Sequence, residues 1–313
     1  MDDIKTQAHN TVMALTPKVC ASINQFSADG FKTRGGRLGS GMGLLLEAMW
    51  GYHMNQELEN LNSSGNAVEI AWLPDNEYND FACVFQDRDW FPNNRTGELF
   101  RIEAKSMNLS ADESKAHFDE LKKNFTGNDL LLVLVWKWEE LDKQRVYPRI
   151  VDSFVGQATI IAELRDALHI ARGGSFVDSK KCPDGCDVKT CTHDGEPLNA
   201  AGKRERLSGP NSLRPSANVS FAANFGGLIR MLKTNSADAR KVFREVRKNN
   251  EVAHQYISFI HRNLPSEEKN QYLTNEWRIL AQKLGIKSDL EIEELLSQIR
   301  SKENYQEMLR ELD

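Results

Sequence analysis

Apolar positions change period along this chain, and each change marks an element. Val12, Leu15, Val19 and Ile23 recur at three- and four-residue intervals, so residues 1–30 predict one or two short amphipathic helices. Leu44, Leu45, Leu46, Met49 and Met54 predict another, strongly apolar helix. From residue 67 the pattern shortens to that of strands, at 67–73, 81–85 and 98–105, with Trp90, Pro92, Asn93, Asn94 and Gly97 in a breaker-rich turn between the second and third. Residues 110–123 predict a helix, Ser110 and Glu113 having capping-box spacing. Residues 129–138 are almost continuously apolar, as in a strand buried on both faces. Strand and then helix follow over 151–170, broken at Arg172, Gly173 and Gly174. Val252, Tyr256, Phe259 and Ile260 predict a C-terminal helix broken at Pro265, with further amphipathic helices over 267–284 and 289–299. The class is α/β: a mixed sheet flanked by helices.

Candidate chemistry gathers on the third strand. Alternate strand side chains share a face, so Glu103 and Lys105 project together while Phe100, Ile102 and Ala104 point into a core. A hairpin from the second strand brings Asp80 beside Glu103. Two carboxylates and a lysine at a strand end suit Mg2+, a hard cation held by few carboxylates and several waters. Such a metal lowers the pKa of a bound water and offsets phosphodiester charge, while Lys105 positions or stabilises the attacking hydroxide. The alternative is a solvated strand edge, because Glu-x-Lys is common on strands.

Asp80, a spacer, and Glu103-Ala104-Lys105 at the end of an apolar strand, with a helical segment and a very apolar strand after them, resemble the PD-(D/E)xK nuclease superfamily over roughly residues 40–160. Length and accessory segments most resemble a type II restriction endonuclease. Pro74 and Asp75 spell the motif's first pair literally, but Asp80 begins an apolar strand as the family's aspartate does, whereas Asp75 lies in a turn. The resemblance implies a restriction-endonuclease-like core and Mg2+-dependent cleavage of double-stranded DNA. Asp80 and Glu103 would hold the metal and Lys105 would orient the water. Many such nucleases add an acid from an N-terminal helix; Glu47, a lone charge in an apolar helical turn, fits that role or that of a salt-bridged helix acid. A homodimer matching a twofold site and a protecting DNA methyltransferase in the same cell are also implied. Repair, junction-resolving and transposition nucleases use the same core, and a non-catalytic zinc-containing DNA-binding protein is the rival of another class.

Cys182, Cys186, Cys191 and His193 offer three thiolates and an imidazole, the donor set of a closed structural zinc site; free loop thiols are the alternative. Cys20 and Cys83 lie in apolar runs and belong to the core. The net charge of −5 makes no global case for nucleic acid, yet between residues 203 and 248 eleven Lys or Arg face three acids. Lys203, Arg204 and Arg206 follow the zinc loop, and Arg240, Arg244 and Arg247 share one helical face. Arg34 and Arg37 sit in a glycine-rich stretch, 31–43, before the apolar helix. These are the candidate DNA contacts, with solvated helix faces and a linker as their plainer readings. No run of eighteen apolar residues occurs and the first residues lack signal-peptide character, so the expectation is a cytoplasmic protein with no membrane partner. The chain divides into a helical segment with its basic loop (1–40), the nuclease-like core (41–170), the zinc loop with a basic segment (171–235) and a helical C-terminal part (236–313).

Overall fold

In the computed structural model the described residues are 2–34, 41–61, 67–74, 79–109, 117–203, 225–228 and 249–263, with Asp238, Lys241, Val242, Glu245 and Val246. Their elements are α1 (Asp2–Gly30), α2 (Met42–Leu61), β1 (Val68–Trp72), β2 (Phe81–Phe85), β3 (Glu98–Asn108), β4 (Leu130–Asp142), β5 (Arg145–Gln157), α3 (Ala158–Ala171), β6 (Ser175–Phe176), β7 (Pro197–Leu198) and α4 (Glu251–Arg262). The predicted Pro265 break and the helices at 267–284 and 289–299 lie outside the described residues. None of the described helices is long and apolar enough to cross a membrane.

The continuous apolar run forms β4, and its alternation divides the interior in two. Leu130, Leu132 and Leu134 face one core with Val12, Ile23, Leu46 and Trp50 of α1 and α2. Leu131, Val133 and Val135 face the other, with Ile161 and Leu168 of α3 and Tyr256 and Phe259 of α4. Helices thus cover both faces of a mixed five-stranded sheet in sequential order, antiparallel throughout except for the β3–β4 pair. Bulges at Cys83/Val84 and Val135/Trp136 add local bend and twist.

Asp129 anchors the parallel pair. Its carboxylate, 0% exposed, accepts the Arg101 N–H at 2.9 Å, the Thr126 N–H at 2.8 Å and the Arg95 guanidinium at 3.0 Å. It therefore fixes the start of β4 against β3 while its own charge is neutralised.

Two local expectations change. α1 is a single helix of 29 residues, longer than the one or two short ones expected, and runs through Pro17. Its stripe of Val12, Val19, Cys20 and Ile23 stays buried across the proline, and the Thr16 hydroxyl donates to Val12 O at 2.9 Å in the adjoining turn. Continuous packing outweighs one broken backbone bond. The helix expected over 110–123 does not extend through residues 117–124; 110–116, with the capping-box pair, lie outside the described residues. Instead His117 bridges Gly227, Phe118 N–H donates to Gly226 O at 2.7 Å, and Lys122–Asn124 forms a 3-10 turn. Tertiary partners take the backbone groups that a helix would have paired with itself.

Candidate active site

The sheet forks where β2 meets β3. Asp80 immediately precedes β2, its N–H donating to Ile102 O at 3.1 Å and its Oδ2 accepting from Ala104 N at 2.7 Å. The carboxylate thereby caps β3 where β2 leaves it, and holds itself beside the next residues of the strand. Ile102 and Ala104 enter the α1/α2 core as expected, while Glu103 and Lys105 project from the opposite face. Lys105 Nζ stands 2.5 Å from Glu103 Oε1 and 3.9 Å from Asp80 Oδ2, and donates to Ala104 O at 3.0 Å. Asn79, at a positive φ of 77°, donates to Glu103 Oε2 at 3.3 Å and orients that carboxylate from its other side.

Glu47 arrives from α2. The helix can approach β3 because Gly43 has no side chain: a Cβ there would collide with Ser106 Oγ. Ser106 hydrogen-bonds the Glu47 carboxyl, which burial pushes up to about 7; Lys105 opposes the rise and the charges of Asp80 and Glu103 add to it. The lysine behaves differently. Burial alone would lower its pKa, but Glu103, Asp80 and Glu47 outweigh burial and hold the ammonium well above its ordinary value. Burial also raises the Glu103 carboxyl, with Lys105 opposing and Asp80 and Asp119 reinforcing it.

The sequence reading missed an acidic arm. The charge of Asp119 helps to raise the Glu103 carboxyl; the Glu120 carboxyl is raised by burial first and by the charges of Glu103 and Asp119 after it, while a hydrogen bond from Asn124 Nδ2 opposes the rise. The arm is held by Arg165 of α3, a guanidinium 1% exposed that donates to Phe118 O at 2.8 Å and Glu120 O at 2.7 Å, pairs with Asp166 at 2.8 Å, and lies over the Phe225 ring at 4.4 Å. A polar residue inside an otherwise apolar helical stripe, Ile161, Leu164, Arg165, Leu168, was the available signal.

Asp80, Glu103, Lys105 and Glu47 are thus brought together. Asp75, the alternative aspartate, lies outside the described residues, as do Arg37, Arg204, Arg206, Arg240, Arg244 and Arg247. Arg34 and Lys203 are exposed, the first just beyond α1 and the second after β7.

Cys182, Cys186, Cys191 and His193 form a second cluster that could hold a metal such as zinc, their ligand atoms all within 4.8 Å of one another. Cys20 and Cys83 are buried in the core, as expected. In the loop carrying the cluster, Val188 is the one large aliphatic side chain between residues 178 and 195, and it is 53% exposed. Structural zinc contributes about 10–16 kcal/mol to folding in zinc-finger peptides, far more than such a loop could obtain by burial.

The chain matches no protein-family model, no curated protein and no solved structure.

Glu47 gives a prediction for the metal-free protein. Its carboxyl titrates near 4.5 in the unfolded chain and at about 7 when folded. The folded state therefore binds this proton more tightly, and Glu47 lowers stability progressively as pH rises from the first value through the second. Glu47→Gln removes the burden: in EDTA it exceeds the parent by about 1–3 kcal/mol at pH 8 and loses that advantage by pH 4, as read from urea unfolding. An advantage independent of pH would refute the assignment.

Proposed function

We propose that this chain is a Mg2+-dependent endonuclease of restriction-endonuclease-like fold that hydrolyses double-stranded DNA at a defined sequence, in the manner of a type II restriction enzyme. The observation that carries this reading is the convergence of Asp80, Glu103 and Lys105 at the β2/β3 fork, with Glu47 entering from α2.

The donor set fits the metal: Asp80 and Glu103 offer hard carboxylate oxygens, the ligands Mg2+ prefers. A cation bound there supplies charge against the phosphate and acidifies a coordinated water. Ala104 N–H and Asn79 Nδ2 fix the two carboxylates, so little reorganisation is needed when the scissile phosphate arrives. Three carboxylates favour the protonated form of Lys105, which suits it to orienting and stabilising the attacking hydroxide rather than to acting as the base. Glu47 faces the same group and assists. In-line attack by water inverts phosphorus and leaves a 5′-phosphate.

Cutting both strands of a twofold site calls for a homodimer, and protection of host DNA calls for a methyltransferase acting on the same sequence. Arg34, Lys203 and the basic residues beyond it are the proposed grip on the DNA.

Incubation with phage DNA and Mg2+ tests the proposal. Discrete bands that vanish with EDTA are expected. A smear would move the assignment to a non-specific, repair or junction-resolving nuclease. The Cys/His cluster favours a second reading, a zinc-containing DNA-binding protein in which the acids play no chemical part; binding without cleavage on several DNAs would select it.

A further inference from the structure

The loop between β6 and β7 closes on a two-residue ladder, Ser175 with Leu198 and Phe176 with Pro197. His169 of α3 fastens its base, Nε2 lying 3.1 Å from Ser175 O and 2.9 Å from Leu198 O. Beyond this neck the chain folds back at Val177, whose N–H donates to Glu196 O at 2.8 Å. The loop beyond the neck has no apolar core, so its order depends on a cross-link.

The cluster has the dimensions of one. Zn–S bonds of about 2.3 Å and Zn–N bonds of about 2.0–2.1 Å place sulfur and nitrogen vertices of a tetrahedron about 3.5 Å apart. His193 Nδ1 lies 3.4 Å from Cys182 Sγ and 3.2 Å from Cys186 Sγ.

The residue after His193 carries the cluster's order outward. Asp194 Oδ1 accepts the Ser179 N–H at 3.0 Å, and Asp194 O accepts Lys123 Nζ at 2.5 Å. Lys123 lies in the 3-10 turn whose neighbour Asn124 hydrogen-bonds the Glu120 carboxylate. Arg165 holds the same segment from the α3 side through Phe118 O and Glu120 O. The acidic arm is therefore clamped between a buried arginine and the metal-binding loop.

We propose that Cys182, Cys186, Cys191 and His193 bind a structural zinc that, through Asp194 and Lys123, positions residues 118–124 and with them the acids Asp119 and Glu120. Zinc then orders the arm and takes no part in chemistry, because protein ligands fill all four of its positions. The inference is independent of the nuclease proposal, and its readouts involve no cleavage.

The test is metal analysis of the purified full chain followed by amide hydrogen exchange before and after a chelator strips the zinc. One zinc per chain is expected, and cobalt in its place should show the intense absorption of a tetrahedral thiolate site. Stripping should speed exchange of the Asn124 and Phe125 amides, which donate to Leu121 O and Lys122 O, by about tenfold or more, with β4 amides unchanged. Cys186→Ser should reproduce the stripped state, and His193→Cys, which keeps four ligands, should retain both zinc and protection. Lys123→Met should bind zinc normally yet exchange faster at the same two amides. A chain that neither carries nor takes up zinc overturns the proposal. So does faster exchange confined to residues 178–195 or spread through β4, and so does a zinc-loaded Lys123→Met as protected as the parent.

Discussion

If the chain is the proposed nuclease, Lys105→Ala should cut DNA about 100- to 1000-fold more slowly than the parent, the cost expected when a single preorganised group is removed from a developing negative charge. Its affinity for DNA should stay within about tenfold, because only one of the proposed cationic contacts is lost. The ammonium lies 2.5 Å from Glu103 Oε1 and three carboxylates favour its charged form, so the contribution proposed for it is fixed positive charge and hydrogen bonding at the nucleophile. Removing it leaves Asp80, Glu103 and Glu47 facing one another without a resident cation. Mg2+ binding should therefore be preserved or strengthened while the chemical step fails. Single-turnover cleavage over a range of Mg2+ concentrations separates the two effects. A rate within tenfold of the parent at saturating metal would remove Lys105 from the mechanism, and a rate restored by extra Mg2+ would reduce its role to metal recruitment.

What could be read from the sequence was what depends on neighbours along the chain. β4 was legible because burial on both faces demands an uninterrupted apolar run, and residues 130–135 have one. The Glu103 and Lys105 pairing was legible because alternation places i and i+2 on one face, and Asp80 followed from a short hairpin. The unbroken α1 was not, since Pro17 is locally a breaker and its tolerance comes from packing along the sheet and α2. Nor was the path of residues 117–124. A capping-box spacing is a local preference worth about 1 kcal/mol, and it concerned residues that precede this stretch. Arg165 satisfies the carbonyls of Phe118 and Glu120 across separations of 47 and 45 residues. No periodicity signals a partner that distant. The acidic arm therefore lay in plain view as Asp119 and Glu120 without any sign that its charge acts on Glu103.

That arm makes Arg165 the residue whose loss should damage the framework most. Arg165→Met keeps the length and apolar stem of the side chain and removes its five donors. The carbonyls of Phe118 and Glu120 lose their guanidinium bonds inside the α3 face, each costing about 1–3 kcal/mol if left unsatisfied. The stacked contacts over Phe225 at 4.4 Å and Phe118 at 5.2 Å disappear as well, worth up to about 2 kcal/mol where desolvated. Burial lowers the Arg165 pKa, so the substitution also relieves a desolvation cost, and Asp166 can turn toward water because its side chain is 21% exposed. The net expectation is a loss of about 3–5 kcal/mol, read as a lower urea midpoint at unchanged slope. Arg165→Lys retains the charge but not the planar fork that reaches two carbonyls and a carboxylate together, so it should recover only part of the stability. In both variants residues 118–120 should lose their anchor on α3, and, if the chain is the proposed nuclease, cleavage should fall at temperatures where the fold remains intact. A methionine variant as stable as the parent would show that the two carbonyls find other partners and that the arm is held without the arginine.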